Sequence, residues 1–382
     1  MIQAIGFTLG MGAGSTIARL LGEGDNETAG GMATTAFFTS LVMGVALAVG
    51  GLLFVEPLMR LLGATDTILP HASAYASYIL IGAPYMAAAF VLNNILRAQG
   101  NAFWSMFGLT IGGVLNIILD PIFIFTLNMG VGGAALATII SQLISFAILF
   151  VMVQRHSAAR IHIRYFRIRH LGKILPTGAP SFYRQGLSSL AMVLLNRAAG
   201  VYGDAAIAAM SVVSRIMGFC FSALIGFYQG FQPVCGFNWG AKRFDRVRAS
   251  ILFSLKVATI GLTIFAIILI AFAPALVNLF RPGDTEVNAI GALALRLQAL
   301  LLPTMGWAVI NNMAHQSLGM SRQASIMALA RQGLFFIPAI LALPALFGLL
   351  GVQLAQPVAD LLAFGLAFPF GVPLLRSLKA RA

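Results

Sequence analysis

Charged side chains are scarce in this sequence. Asp, Glu, Lys and Arg make up 9% of its 382 residues, whereas 59% of the residues are apolar. A soluble globular domain carries about 25% charged residues, so a chain this poor in charge cannot cover its surface in water. The composition excludes a soluble globular protein and predicts a chain surrounded by lipid.

Other absences exclude further classes. The two cysteines, Cys220 and Cys235, lie in apolar sequence and form neither a disulfide framework nor a metal-ligand spacing. No GxxxxGK(S/T) phosphate-binding loop occurs, so the sequence shows no ATPase motor. Nucleic-acid binders concentrate basic residues on a water-facing patch, whereas the net charge of +13 here marks the ends of apolar stretches. We therefore expect no nucleic-acid partner.

Eleven apolar stretches are each long enough to cross a bilayer core, which takes a helix of roughly 20 residues. Helices are expected because an isolated strand in lipid leaves its backbone groups unpaired. The predicted fold class is an all-α polytopic membrane protein. The stretches are approximately Met1–Leu21, Thr35–Val55, Ala74–Leu96, Phe103–Leu127, Gly132–Val153, Ile174–Ala199, Ala205–Phe237, Ala249–Phe272, Ile290–Met313, Ala324–Leu346 and Gly351–Leu375.

Lys and Arg are distributed unevenly between the two alternating sets of connections. One set, together with the C-terminal tail, carries sixteen basic residues, whereas the other carries only Arg60, Arg197 and Arg281. Because cytoplasmic connections are enriched in Lys and Arg, the Arg155–Lys173 segment and the C-terminus are predicted to be cytoplasmic. That segment is interpreted as a solvated loop that sets the topology, with a lipid-headgroup site as the alternative.

The sequence repeats itself in two halves. Six predicted helices lie between a residue of the first half and the matching residue of the second half. Because this number is even, the two halves enter the membrane from the same side and are predicted to be parallel repeats, as in many secondary transporters. The matching residues, separated by 218 positions (240 − 22), are Gly22 and Gly240, Asp66 and Asp284, and the pairs Asn93-Asn94 and Asn311-Asn312.

The repeat divides the chain into three predicted parts. They are an N-terminal lobe over residues 1–153, a basic cytoplasmic linker over residues 154–173 and a C-terminal lobe over residues 174–382. The counterpart of Ile174–Ala199 would fall before Met1, so we expect the first lobe to lack one helix and the start of another. In-frame sequence upstream is predicted to encode roughly 45–65 further residues.

Only two of the eleven acidic residues, Asp120 and Asp360, lie well inside predicted spans. Ionisable groups are costly there, so each is a functional candidate. Asp120 follows Asn116 by four residues, on one helix face, and precedes Pro121, which loosens the helix. Burial disfavours the charged form of a carboxylate, which suits Asp120 to exchange a proton or bind Na⁺. The alternative is a carboxyl group that merely bonds a neighbouring helix.

Asp360 has basic candidates on other helices in Arg331 and Arg184. A buried ion pair and a direct substrate contact are both open for it. Other polar residues in the spans usually hold helices together, at about 1 kcal/mol each, but they are also candidates for lining a substrate cavity. They are Asn94, Thr138, Gln142, Gln185, Asn196, Gln229, Gln232 and Gln332.

Several segments carry recognisable motifs. Gln229–Ala241 reads Q-x-x-x-P-x-x-G-x-N-x-G-A, and Gly12–Gly22 is its partner in the first half. Leu115–Phe123 contains Asn116, Asp120 and Pro121, and Arg331–Pro338 is followed by Gln356–Asp360. These segments resemble the multidrug and toxic compound extrusion (MATE) family, and the last three are similar to its DinF/MepA-like branch. The resemblance covers essentially the whole chain.

This resemblance implies a two-lobe bundle of six-helix repeats, with about eleven of twelve spans present, around a cavity that opens alternately to each side. It implies export of amphipathic, mostly cationic drugs, driven by a transmembrane H⁺ or Na⁺ gradient and needing no bound cofactor. The ion-coupling residues of the branch match Asn116, Asp120 and Thr138, and a further Asp belongs to the absent first helix. A monomer in a bacterial cytoplasmic (inner) membrane, contacting membrane lipid, is expected.

Two other functions are open from the residues alone. A flippase for lipid-linked oligosaccharides or peptidoglycan precursors has a related architecture, but its lumen should be lined with several arginines. An intramembrane enzyme would need a nucleophile–base pair or a metal cluster, and the five histidines show no ligand spacing. The basic residues within spans are Arg184, Arg215, Lys256, Arg296 and Arg331. We predict a transporter and not an enzyme.

The asymmetry of basic residues predicts a topology that labelling can test. In a variant whose two cysteines are replaced by alanine, Ala158→Cys should resist a membrane-impermeant thiol reagent added to intact cells, because its connection is cytoplasmic. Thr65→Cys, in the opposite set of connections, is the matched control and should react. Ready labelling at position 158 would reverse the orientation.

Overall fold

The computed structural model describes residues 1–62 and 64–381, and within them the chain forms helices and short connections without a β-strand. The α-helices are α1 (Ile2–Glu23), α2 (Asn26–Leu53), α3 (Val55–Leu61), α4 (Leu69–Ala98), α5 (Ala102–Pro121), α6 (Gly130–His156), α7 (Leu171–Gly200), α8 (Asp204–Gly240), α9 (Phe244–Phe280), α10 (Thr285–Leu300), α11 (Leu302–Ser317), α12 (Ser321–Leu329), α13 (Ile337–Phe347) and α14 (Leu349–Arg381). Wider π-helical turns occupy Ile122–Thr126 after α5 and Ala330–Phe336 between α12 and α13.

Nine helical segments of the described chain are long and apolar enough to cross a membrane, and α10 and α11, bent by 51° where they meet, make a tenth together. Helix α7 is 30 residues long but more polar, because it contains Lys173, Arg184 and Arg197. Large apolar side chains such as Ile117 and Phe219 are exposed, as suits contact with lipid. With α7, these helices account for the eleven predicted stretches, and the all-α, multi-pass membrane fold is confirmed.

The chain divides into two compact units, Met1–Phe182 and the part that begins at Tyr183. The boundary lies inside α7, whereas the sequence placed the start of the second lobe at residue 174. In the first unit α4 packs against α1, α2, α5 and α6. In the second, α9 packs against α8, α10 and α11, and α14 packs against α11 and α13.

An equivalent hydrogen bond in the two units shows the repeat. The Asn93 side-chain amide donates to the carbonyl oxygen of Ser105 at 3.1 Å, which joins α4 to α5. The Asn312 amide donates to the carbonyl oxygen of Ala324 at 2.6 Å, which joins α11 to α12. Both bonds span twelve residues, so Asn93 corresponds to Asn312, one position beyond the partner that the sequence offset of 218 assigns.

The linker between α6 and α7 is held against the first unit by side chains that bond its backbone. The Thr34 hydroxyl accepts from the N–H of His162, and the Thr35 hydroxyl accepts from the N–H of Arg167, both at 3.2 Å. At its start, the Gln99 side chain accepts from the N–H of Ala158 at 2.7 Å. Gln99 lies in the connection between α4 and α5, next to Arg97 at the end of α4. This connection and the linker therefore lie at the same end of the first unit.

Helices α1 and α7 approach closely at two glycines. A Cβ added to Gly12 would collide with the carbonyl oxygen of Ile174, and one added to Gly178 would collide with the carbonyl oxygen of Thr8. The atoms in the way belong to the backbone of the opposite helix, so they cannot move aside as a flexible side chain would. Small residues at such crossings allow close helix packing in membranes.

This crossing predicts opposite effects for two matched substitutions. Gly178→Ala should lower the free energy of unfolding by about 1–3 kcal/mol, because overpacking outweighs the gain in helix propensity. Gly172→Ala, in the same helix with open space around its Cα, should be neutral or stabilising by up to about 1 kcal/mol. Thermal unfolding of the two purified variants measures the difference. Equal stability would show that the crossing tolerates a methyl group.

Candidate functional site

Three predicted residues of the first unit form one hydrogen-bonded cluster. The Asn116 amide donates to Asp120 Oδ1 at 3.1 Å and lies 3.4 Å from Thr138 Oγ1. The Thr138 hydroxyl donates to the carbonyl oxygen of Ala134 at 2.9 Å, so its own oxygen accepts from Asn116. All three side chains are half-buried. The cluster therefore presents carboxylate and hydroxyl oxygens, the ligand type that hard cations prefer, and the carboxylate is also a group that a proton can bind.

The cluster lies where the helix loosens. Helix α5 ends at Pro121, which has no N–H to donate to the preceding turn, and a π-helical turn continues to Thr126. Asn128 then takes a positive φ of 51°. Asp120 thus sits beside backbone that is not locked into a regular α-helical ladder.

The other two polar candidates of this unit, Asn94 and Gln142, lie on different helices, α4 and α6. Asn94 is buried, donates to the carbonyl oxygen of Phe90 at 2.7 Å and accepts from Arg97, so it serves helix packing in this structure. A Cβ at Gly10 would meet the Asn94 amide at 2.7 Å, which places Asn94 at the crossing of α1 and α4. Gln142 lies one turn beyond Thr138 on α6 and is half-buried.

A cavity of about 360 Å³ lies within the second unit. Four of the predicted candidates line it: Arg184, Gln185, Arg331 and Gln332. The remaining wall is largely apolar and aromatic, from residues such as Met192, Met217, Phe221, Tyr228 and Phe336. Apolar walls with a few polar groups are typical of sites for amphipathic small molecules.

Asp360 forms a buried ion pair with Arg331. Their Nε and Oδ1 atoms are 2.8 Å apart, and the Asp360 residue is 1% exposed. The Gln356 amide donates to the same Oδ1 at 2.7 Å, and the Arg331 guanidinium lies 4.5 Å from the centre of the Phe221 ring. Of the two basic candidates, Arg331 is therefore the partner, and Asp360 lies behind it rather than in the cavity wall.

Arg184 and Gln332 present polar atoms to the cavity. The Arg184 guanidinium lies 5.9 Å from the centre of the Tyr228 ring and 3.5 Å from the Asn312 side-chain oxygen. Gln332 Oε1 is buried and has no hydrogen-bond partner within the described residues. A buried acceptor without a partner costs free energy, so a ligand that donates a hydrogen bond there would recover it.

Three further candidates of the second unit, Asn196, Gln229 and Gln232, do not line this cavity. Sequence reasoning missed the aromatic wall formed by Phe221 and Tyr228, because aromatic residues are so common in the spans. It also missed Gln356 as a site residue. A signal was present, because Gln356 precedes Asp360 by four residues, as Asn116 precedes Asp120.

These features are those of a known class of membrane protein. Repeated helical units, broken helices and polar residues clustered at the breaks are characteristic of secondary transporters. Residues 1–122 and 180–341 match the family model MatE. The chain belongs to this family of transporters, so the predicted MATE membership and the prediction that it is not an enzyme are both confirmed.

Relatives and solved structures agree with this assignment. Multidrug export protein MepA of Staphylococcus haemolyticus is 29% identical over 370 residues, which cover 94% of this chain and 80% of MepA. A transporter of Pyrococcus furiosus, described as having a binding pocket of reverse polarity, superposes with a TM-score of 0.92 at 28% identity, over 99% of this chain and 86% of that one. A mutant form of the Vibrio cholerae MATE transporter VcmN matches with a TM-score of 0.92 at 26% identity, over 98% of this chain and 86% of that one.

The buried ion pair predicts a non-additive effect on stability. Asp360→Asn should lower the free energy of unfolding by about 2–3 kcal/mol, because it leaves Arg331 without its charge partner. The side chain of Arg331 is 22% exposed, which keeps this cost below that of a fully buried pair. The double variant Asp360→Asn/Arg331→Gln should lose less than the sum of the two single variants. A double-mutant cycle on thermal unfolding tests this, and additive losses would contradict a direct coupling.

Proposed function

We propose that this protein is a multidrug efflux antiporter of a bacterial cytoplasmic membrane, which exports amphipathic, mostly cationic compounds in exchange for H⁺ or Na⁺. The observation that carries the proposal is the cluster of Asn116, Asp120 and Thr138 beside the loosened end of α5. The names of the MepA relatives support drugs as the substrates. The protein is proposed to act as a monomer among membrane lipids.

Asp120 supplies a charge that can alternate. When H⁺ or Na⁺ binds, it neutralises the carboxylate, and Asn116 and Thr138 provide the polar groups around it. When the ion leaves, the span contains a negative charge without a cationic partner. The two states favour different arrangements of the loosened helix. Coupling requires that the ion and the drug bind these arrangements with different affinities, since equal affinity shifts no equilibrium.

The group proposed to bind the coupling ion is a carboxylate that no basic side chain neutralises. Among the polar residues described in the two sites, Asp120 is the carboxylate without a basic partner, whereas Asp360 is paired with Arg331. Exchange requires that the coupling ion and the drug stabilise different conformations. Independently of that cluster, the apolar and aromatic walls of the cavity in the second unit suit the apolar body of an amphipathic compound.

A flippase for pyrophosphate-linked lipids fits the same cavity less well. Such a substrate calls for several arginines that are free to bind phosphate. The cavity presents Arg184 and Arg331, and Asp360 already neutralises the second of these. We therefore favour drug export.

Gradient-driven efflux from proteoliposomes tests the coupling residue. Asp120→Asn should abolish efflux of a fluorescent cation under an imposed H⁺ or Na⁺ gradient, because the amide keeps the shape of the carboxyl group but cannot alternate its charge. Membrane insertion should be unchanged, and drug binding should survive better than transport, since most contact area is apolar.

Asp66→Asn is the matched control. Asp66 lies outside the spans, exposed and paired with Arg60, so the same chemical change should leave efflux intact. Imposing each gradient separately on the unmodified protein distinguishes H⁺ from Na⁺. Full gradient-driven efflux by the Asp120→Asn protein would exclude this residue as the coupling site.

A further inference from the structure

A second cavity, of about 380 Å³, lies in the first unit between the start of α2 and the linker that leads into α7. It is separate from the cluster around Asp120, which lies beside the opposite end of α6. Its wall consists of Glu27, Thr28, Gly31, Met32, Tyr165, Arg167, Arg169, His170 and Lys173.

The charge of this wall is predominantly positive. Arg167, Arg169 and Lys173 contribute three cations against the single carboxylate of Glu27. None of the four takes part in an ion pair within the described residues, where the pairs are Arg60–Asp66 and Arg331–Asp360. Three like charges gathered around one cavity repel one another, so an anion bound there would be stabilised.

Burial and the neighbouring positive charges also affect His170. Burial lowers the pKa of this imidazole, and the nearby charges of Arg169, Arg167 and Lys173 lower the pKa further, against the opposing effect of a hydrogen bond with the backbone of Gly31. The ring is therefore neutral at pH 7 and available to a ligand as a hydrogen-bonding wall rather than as a fourth cation.

The basic side chains project from a backbone that is fixed in place. The Thr35 hydroxyl accepts from the N–H of Arg167 at 3.2 Å and lies 3.3 Å from His170 Nδ1. Gly31 allows the ring to pack directly on α2, because a Cβ there would meet His170 Cε1 at 2.5 Å. The backbone at Arg167 and the His170 ring are thus in place before any ligand binds, which reduces the entropy lost on binding.

Apolar side chains of the linker next to the cavity distinguish a lipid headgroup from a free phosphate ion as the ligand. Ile163, Phe166 and Ile168 are 62%, 40% and 73% exposed and alternate with the basic residues of the linker. A segment that exposes both types of side chain suits the boundary between headgroups and acyl chains. A free phosphate ion would leave these apolar residues in water, whereas a lipid would cover them.

We propose that this cavity binds the phosphoryl headgroup of an anionic phospholipid in the cytoplasmic leaflet, with the acyl chains against Ile163, Phe166 and Ile168. Arg167, Arg169 and Lys173 bind the phosphate oxygens, and the neutral His170 ring closes the cavity against α2. The bound lipid holds the linker at the membrane surface. The site does not depend on the proposed drug export.

Protection of Lys173 from an amine-acetylating reagent tests the site in purified, detergent-solubilised protein. Phosphatidylglycerol should slow acetylation of Lys173 by about tenfold, whereas phosphatidylcholine and inorganic phosphate should give little protection. In the variant Arg167→Gln/Arg169→Gln, protection by phosphatidylglycerol should be lost. Mass spectrometry of proteolytic fragments measures the rate, and thermal unfolding checks that the variant is folded.

The matched control is Arg155→Gln/Arg164→Gln, which removes the same charge from the same segment but from residues outside the cavity wall. It should keep the protection. If both double variants lose the protection equally, the protection arises from diffuse attraction between charges and not from a defined site. Equal protection by phosphatidylcholine would indicate a purely apolar contact, and equal protection by inorganic phosphate would indicate a free-phosphate site; either result overturns the proposal.

Discussion

The structure depends on the requirement that every backbone N–H and C=O group within lipid has a partner inside the protein. Water is absent there, so a regular helix is the default and each interruption must be compensated locally. Among the described residues the interruptions include the π-helical turn after Pro121, the π-helical turn between α12 and α13, the bend between α10 and α11, and a kink at Phe272 in α9. Asp120 lies two residues before the first π-helical turn, and Arg331 and Gln332 lie within the second.

This distribution links folding to function. A polar side chain in a regular span is expensive, but at a loosened turn it has irregular backbone and other polar groups nearby. Asp120 has Asn116 and Thr138, and Arg331 has Asp360 and Gln356. The two units use the same arrangement of an amide four residues before an acid. Within the described residues, the acid of the second unit has a cationic partner, whereas Asp120 of the first has none.

Much of the fold was predictable because lipid imposes a strong and simple pattern. Length and hydropathy located the nine long apolar helical segments and the bent pair α10–α11, and the stretch predicted at Ile174–Ala199 forms the more polar helix α7. The Asn116–Asp120 contact followed from a spacing of four residues, without tertiary information. For Asp360 the sequence left open an ion pair or a substrate contact and two possible partners, and only the structure assigns Arg331.

What the sequence left undetermined depends on helix rotation and on contacts between distant segments. Gln229 was a candidate, but its neighbour Tyr228 lines the cavity, since a single residue changes the direction of a side chain by about 100°. Asn94 was a candidate too, and its amide proved to pack beside Gly10 of α1. The basic cavity joins residues of α2 to the linker well over a hundred positions away, and no local pattern indicates that they meet.

The π-helical turn at Ala330–Phe336 also determines in which direction the side chains within it point. A π turn accommodates one residue more than an α turn, so it absorbs an inserted residue without displacing the rest of the helix. Removing one residue there would restore a regular α turn and leave Ala339 and Ile340 of α13 buried, whereas side chains inside the turn would change direction. The extra residue therefore sets the directions of Arg331 and Gln332 rather than the orientation of α13.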